Sequence, residues 1–325
     1  MFKENQIRPN QIFKKYLSLS FKDQSFFKKK KVNINCPSCI KKTQTSFLFK
    51  KHGHKYNRCN LCNTVFVNPR PTLNQLMKYY NESKSAKYFA NIFYTKTKKS
   101  RIKYLWKPKV NEICKYLKSK KEKNFTIYDI GGGYGIFAEL MKRKSKEDVV
   151  VIEPDKKMYS SCVQKKIPAI NNFLENINKK QLKKGKKIFI SFELFEHLQS
   201  PVLFLKKLKK LMNKGDLFIF TTLSSQGVDI KSLAHNSKCY SIQHLNLFNP
   251  KSIRNLLQKT NFKVNKIETP GKLDIDILYK QRNQLDDQLS KILLDVITEK
   301  QKIIIQKKIS NFNLSSHMRV FCSAK

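Results

Sequence analysis

Four of the chain's nine glycines fall within five positions, Gly131, Gly132, Gly133 and Gly135, directly after a β-branched run. That run, 126–130, reads as a strand, and 136–141 continues in a helical pattern. Glycine at 131, 133 and 135 lets the backbone turn tightly and approach a ligand that a Cβ would block. A second strand over 149–152 ends at Glu153, 22 residues after Gly131. An acid there can accept both hydroxyls of a ribose. The spacing alone suits a dinucleotide site and a nucleoside site alike.

Strand and helix go on alternating. A third strand over 167–170 is blurred by Pro168, and a fourth over 187–192 is apolar at Ile188, Phe189 and Ile190. The stretch 201–212 reads as a helix with proline near its first position, closed by Asn213-Lys214-Gly215. A fifth strand over 217–220 follows, then a helix after Asn249-Pro250. Residues 262–267 and 273–278 read as two edge-forming strands around Pro270-Gly271, the second alternating Leu273, Ile275 and Ile277 with Asp274 and Asp276. Upstream, 73–80 and 103–117 read as helices. The class is α/β, a doubly wound sheet that ends in a hairpin rather than another crossover. Between the two upstream helices lie Tyr79, Tyr80, Tyr88, Phe89, Phe93 and Tyr94, a segment suited either to a lid or to packing on the sheet. The long connection 223–249, with His235, Tyr240 and His244, is a candidate cover for an acceptor.

Eight cysteines include two close pairs, Cys36-Pro37-Ser38-Cys39 and Cys59-Asn60-Leu61-Cys62. Four thiolates in two such knuckles can converge on one tetrahedral zinc ion, with Cys36, Cys39, Cys59 and Cys62 as ligands. No coordination position is left open, so the expected role is structural. His52 and His54 between the pairs read as part of a solvated turn. The other four cysteines are scattered, which points to a reducing cytoplasm rather than a disulfide scaffold. A short strand over 65–67 ends at Asn68-Pro69-Arg70-Pro71, where two prolines block a ladder, and the domain boundary is drawn there.

The charge is +44, from 67 basic against 23 acidic residues. Nucleic acid is the first partner such a balance suggests. Only 8 of the basic residues are Arg, however, and base reading and bidentate phosphate contacts favour Arg. Lysine spread through every segment reads as composition bias, so nucleic acid is a disfavoured partner that stays open. No apolar run approaches the 18 or so residues of a membrane span, and 1–10 has no signal-like stretch.

Besides the loop Asp129 to Gly135 and Glu153, two further elements stand in order. They are Phe195-Glu196-His197-Leu198 followed by Pro201, and His244-Leu245-Asn246-Leu247-Phe248-Asn249-Pro250. With these the chain resembles, over 109–278, the class I S-adenosylmethionine-dependent methyltransferases. More closely it is similar to bacterial members with an N-terminal zinc knuckle and an FVNPRP segment, here Phe66 to Pro71. The resemblance implies a Rossmann-like seven-stranded sheet of order 3-2-1-4-5-7-6. It implies a division into a zinc-ribbon-like module (1–71), the methyltransferase domain with a helical lid (72–280) and a helical C-terminal extension (281–325).

S-adenosylmethionine is the cofactor so implied. Asp129, Gly131, Gly132, Gly133 and Gly135 would carry its methionine moiety and Glu153 its ribose. Asn172 would lie beside the adenine, with Phe192 and Glu193 on the other side. The family usually has a small or polar residue where Gly132 stands. Glu193, Glu196 and His197 resemble a cluster that in ubiquinone O-methyltransferases is associated with a divalent cation; the plainer reading has Glu193 capping a turn and His197 packing. His244 is the preferred general base, and Glu196 and His197 are the further catalytic candidates.

The expected activity is methyl transfer to a small-molecule or saccharide-linked acceptor, at oxygen by preference. Sugar-carbon methylation, RNA methylation and a non-enzymatic scaffold are the alternatives. The RNA reading lacks an Asn-Pro-Pro-Tyr-like signature, since Ser191-Phe192-Glu193-Leu194 stands there. The amphipathic stretch 284–308 is suited to packing on the sheet edge or to pairing with a second copy as a homodimer. The ending Leu314-Ser315-Ser316-His317-Met318 has no mechanism that composition supplies.

Overall fold

The computed structural model describes residues 2–28 and 31–325; Met1, Lys29 and Lys30, which the first expected domain includes, lie outside it. Among the described residues thirteen strands follow in chain order. The N-terminal part holds β1 (Lys31–Val32), β2 (Thr45–Lys51), β3 (His54–Cys59), β4 (Val65–Val67) and β5 (Arg70–Pro71). Then come β6 (Phe125–Ile130), β7 (Asp148–Ile152), β8 (Ala169–Ile170), β9 (Lys186–Ser191) and β10 (Leu217–Leu223). Last are β11 (Asn246–Leu247), β12 (Phe262–Glu268) and β13 (His317–Ala324).

Seven of these form the main sheet, ordered β12-β13-β10-β9-β6-β7-β8. Counting only this sheet's strands in chain order gives 3-2-1-4-5-7-6. The five strands from β6 to β10 are parallel and β13 runs antiparallel between β10 and β12. Because helices cover both faces, the central strands are buried on both sides and read as apolar runs. Tyr128, Ile130, Phe189, Phe218 and Phe220 point to one face, against the helices Pro201–Leu211 and Pro250–Lys259. Ile127, Ile188, Ile190, Leu217 and Ile219 point to the other, against Lys107–Ser119 and Ile136–Ser145.

The expected last strand over 273–278 is instead a helix, Asp274–Lys280. The alternation was misleading because Asp274 and Asp276 are buried acceptors rather than solvent-facing residues. Asp274 takes hydrogen bonds from the Ser315 hydroxyl, the Ser316 amide and Gln306, and Asp276 accepts from the Glu4 amide. The missing strand is β13, so the C-terminal segment is not a helical appendage: its end completes the methyltransferase-like sheet, and the boundary at 280 divides one sheet. The stretch 284–308 is likewise two helices, Gln288–Val296 and Glu299–Asn311.

The N-terminal module is not set apart at the Pro-rich bend either. β11, from the long connection, joins β4 as the outer strand of a second sheet, β11-β4-β3-β2. Tyr56, Val65 and Val67 share a core with Leu76, Tyr79, Ile230, Tyr240, Ile242, Leu245 and Leu247. The connection 223–249 is ordered by this docking and contains the helix Val228–Leu233.

His54 is the clearest departure from a solvated turn, being fully buried. Its Nε2–H donates to the Ile242 carbonyl at 2.9 Å, and burial lowers its pKa to about 4. A histidine with a depressed folded pKa stabilises the fold above its unfolded value near 6.5 and loses that contribution as pH falls toward 4. Denaturant unfolding at pH 7 and pH 5 is therefore expected to show wild type losing about 2 kcal/mol more than His54→Gln. Equal losses would place the imidazole in water.

Candidate functional site

All the predicted site residues outside the cysteine module gather at the edge where the parallel strands end, the usual ligand edge of such a sheet. Gly131, Gly133 and Gly135 have φ of 69°, 56° and 70°, a region costly for any residue with a Cβ. A Cβ on Gly135 would lie 2.9 Å from Cys162 Sγ. On Gly132 it would lie 2.6 Å from Asp129 Oδ2. A side chain at that position would have to displace the Asp129 carboxylate. At Gly133 the nearest atom is Met158 Sδ at 3.8 Å, so the loop is open to a ligand there.

Glu153, at the end of β7, accepts from the Gly133 amide (2.8 Å) and the Asp155 amide (3.0 Å). It is tied to the loop it was expected to serve. Asp129 is buried, burial and then Glu153 raise its pKa to about 7, and its Oδ2 has no hydrogen-bond partner. Asn172 follows β8 and binds the Phe173 amide and Asn176 through its Oδ1. Phe192 is buried 4.8 Å from the Phe137 ring and under Lys109 Nζ.

Glu196, His197 and His244 are brought together, one ligand-type atom from each lying within 4.8 Å of the others. The imidazole centroids are 4.8 Å apart. Each histidine's Nδ1 meets a backbone carbonyl, Gln243 O at 3.2 Å for His197 and Cys239 O at 2.7 Å for His244. A carbonyl only accepts, so both carry the proton on Nδ1 and leave a lone pair on Nε2. Burial lowers the pKa to about 3 at His197 and about 4 at His244. Burial, then Glu193, raises Glu196 to about 8, and its Oε2 is without a partner. Neutral imidazoles beside an unmet carboxyl oxygen can take a proton from an acceptor or hold a divalent cation.

Glu193 does not join them. Its φ of 54° turns the side chain to Lys109 Nζ (2.9 Å) and the Thr221 hydroxyl (3.1 Å), with His317 Nδ1 at 3.7 Å. The side chain is partly exposed; desolvation opposes its ionisation, but Lys109 and His317 outweigh this and hold it below the usual carboxylate range. Lys109, Thr221 and His317 at this edge were not read from sequence. His317 belongs to the ending that had no assigned mechanism.

The four cysteine sulfurs form the other cluster. They are buried and unbridged, and all lie within 4.8 Å of one another, Cys36 to Cys62 at 3.5 Å and Cys39 to Cys59 at 3.9 Å. A tetrahedral zinc at 2.3 Å from each sulfur needs separations of about 3.8 Å. The two knuckles repeat one geometry, with Ile40 N bonded to Cys36 O and Asn63 N to Cys59 O, and φ of 61° at Ile40 and 58° at Asn63. The donor set fits zinc.

This module grips the loop that carries His244. The Tyr56 hydroxyl lies 3.1 Å from His244 O and 2.9 Å from Ser241 O. Asn249 Nδ2 donates to Cys62 O, Val67 N to Leu245 O and Leu245 N to Glu196 O. Arg70, buried without an acid beside it, donates to Gln199 O and Asn246 Oδ1. The three sequence motifs around Phe66, Glu196 and His244 are one connected structure.

The sequence matches the family described as "Methyltransferase domain" over residues 99–267, more than half of the chain. The plantazolicin methyltransferase BamL, solved with a triazolic desmethylPZN analog and SAH, is similar in fold with a TM-score of 0.50 at 12% identity, over 77% of this chain and 94% of that one. A Thermotoga maritima SAM-dependent methyltransferase (TM1293), described as a possible histamine N-methyltransferase, aligns with a TM-score of 0.47 at 12% identity, over 73% and 98%. No curated protein matches the sequence. Since the family match spans the glycine loop, the acid that closes on it and the strands that carry both, the chain belongs to the class I S-adenosylmethionine-dependent methyltransferases.

Proposed function

We propose that this enzyme transfers the methyl group of S-adenosylmethionine to the oxygen of a small-molecule or saccharide-linked acceptor. The observation that carries the reading is the Glu196, His197 and His244 cluster at the same sheet edge as the glycine loop. S-adenosylmethionine supplies an electrophilic methyl on a sulfonium. Gly131 to Gly135 would carry its methionine moiety, and Glu153, already turned onto the loop, its ribose.

His244 is the base. Its Nδ1–H is held by Cys239 O, so its Nε2 lone pair takes the acceptor hydroxyl proton as the oxygen attacks the methyl. Its low pKa keeps it neutral throughout the physiological range. Glu196, protonated near neutrality, can donate to the acceptor. The same atoms with His197 fit a divalent cation, which when bound would lower the acceptor's pKa; Glu193, expected among its ligands, is committed to Lys109.

The cysteine module supports a compact acceptor over RNA, because the face formed by His54 and Tyr56 is spent on the site's own loop. The cysteines outside the zinc set, Cys114, Cys162, Cys239 and Cys322, are unbridged, which suits a reducing cytoplasm. Among the described residues no helix is long and apolar enough to cross a membrane. A second copy would pair through Leu289, Ile292, Leu293 and Val296, an exposed stripe at helical spacing.

Labelled-methyl transfer onto nucleotide sugars, lipid-linked saccharides and RNA tests the reading. His244→Ala is expected to slow transfer by about a hundredfold or more, with affinity for S-adenosylhomocysteine within about twofold. Parallel loss of both would make His244 a folding residue.

A further inference from the structure

The N-terminal helices Glu4–Ile7 and Asn10–Lys22 lie outside the cysteine cluster. They pack instead on the helical segment upstream of the glycine loop, with Phe13 6.0 Å from Phe93 and Tyr16 5.3 Å from Phe89. From there they reach the histidine cluster. The Tyr16 hydroxyl accepts from Gln243 Nε2 at 3.2 Å, and the Gln243 carbonyl is the one that holds His197 Nδ1. Two cations meet over Phe13, Arg8 Cζ at 5.6 Å and Lys238 Nζ at 5.5 Å from its ring centroid. Arg8 faces the reaction centre, with His244, Cys239, Arg101 and Lys238 within its electrostatic reach. Lys238 directly precedes Cys239, whose carbonyl holds His244 Nδ1.

Acids are scarce around this pair. Glu4 takes one nitrogen of Arg8, Nη1, at 3.3 Å, and Glu193 is committed to Lys109. Lys238 is half-buried, and among the described residues its ammonium has no hydrogen bond or ion pair beyond the Phe13 ring. Burial lowers its pKa; Glu4 opposes this, while Arg8, Lys280 and Lys14 add to it. Like charges gathered partly out of water, without an acid for each, cost stability. A fold carries such a cost where a ligand repays it. The ligand that these charges call for is an anion beside His244.

We propose that Arg8 and Lys238 bind a phosphate group of the acceptor and so hold the hydroxyl to be methylated at His244. The inference deepens the acceptor reading above and rests on it, making the acceptor a phosphorylated saccharide rather than a neutral one. A phosphate monoester carries a charge of about −1.5 to −2 at neutral pH. It has three outer oxygens, enough for the free side of the Arg8 fork and for the Lys238 ammonium together. A carboxylate is the other source of the same chemistry, with less charge, and the test separates the two.

The full-length, zinc-loaded protein, saturated with S-adenosylhomocysteine so that the cofactor site is filled, is titrated with glucose 1-phosphate, glucuronic acid and glucose at moderate salt. Glucose 1-phosphate is expected to bind, glucuronic acid to bind about tenfold more weakly and glucose not to bind. Arg8→Gln and Lys238→Gln should each weaken glucose 1-phosphate about tenfold, with affinity for S-adenosylhomocysteine within about twofold. Lys206→Gln, exposed on the helix Pro201–Leu211, should change neither and controls for the overall charge. Lys238 leaves no acid unpaired when it is replaced, so Lys238→Gln should melt no lower than wild type, which a structural residue would not do; it also serves if Arg8→Gln does not fold. Tighter binding of glucuronic acid than of glucose 1-phosphate would make the anion a carboxylate and overturn the inference. Undetectable binding of glucose 1-phosphate, or equal weakening by Lys206→Gln, would overturn it as well. The titrations need no turnover, so a protein that binds glucose 1-phosphate through Arg8 and Lys238 but methylates no oxygen acceptor would sink the acceptor reading alone.

Discussion

Cys59→Ser is expected to release one bound zinc per chain and to disorder more than the module that holds it. Structural zinc contributes folding free energy on the order of 10 kcal/mol in small modules. Removing one ligand from a closed set forfeits much of that. The core of this module is shared with Ile242, Leu245 and Leu247, and the Cys62 carbonyl itself accepts from Asn249. Loss of metal should therefore speed amide exchange across 241–250, where His244 sits, while β6, β7 and β9 stay protected. Metal analysis and hydrogen exchange on the variant check both halves. Unchanged zinc content would end the metal assignment, and unchanged exchange at 241–250 would make the module an appendage.

Gly133→Val should abolish binding of S-adenosylhomocysteine, an affinity loss of about a hundredfold or more, in a protein that still folds. Within the chain an added Cβ here meets only Met158 Sδ at 3.8 Å, so the cost to folding is backbone strain of about 1–2 kcal/mol. The side chain would fill space the loop leaves for a ligand. Gly135 makes the contrast, since a Cβ there strikes Cys162 and would damage folding first. Calorimetric titration beside a thermal melt separates the two cases, and undiminished affinity in a folded Gly133→Val would remove the loop from the site.

Much of this was legible because it is local. The loop and Glu153 are joined by the Gly133 amide across 20 residues, and one strand–helix–strand unit carries both. The cysteine knuckles are legible for the same reason. β13 was not, because it is buried on both faces between β10 and β12 and shows no alternation. Its place was claimed by 273–278, where Asp274 and Asp276 imitate a solvated face while serving as buried acceptors.

The candidate site divides along the same line. Glu193 and Glu196, three residues apart, read as one cluster until the positive φ at Glu193 sends its carboxylate to Lys109. His244 reaches His197 on a loop that β11 pins to β4 of the cysteine module, a contact across 180 residues, and that Leu245 N ties to Glu196 O. No spacing near either histidine announces it.

Calorimetric titration of the zinc-loaded wild-type protein with S-adenosylhomocysteine, at moderate salt to suppress the +44 charge, tests the account most directly. One-to-one binding with a micromolar dissociation constant is the predicted result. A folded, zinc-loaded protein that takes up no S-adenosylhomocysteine would contradict the account, leaving the glycine loop as a turn of the fold and not a cofactor site.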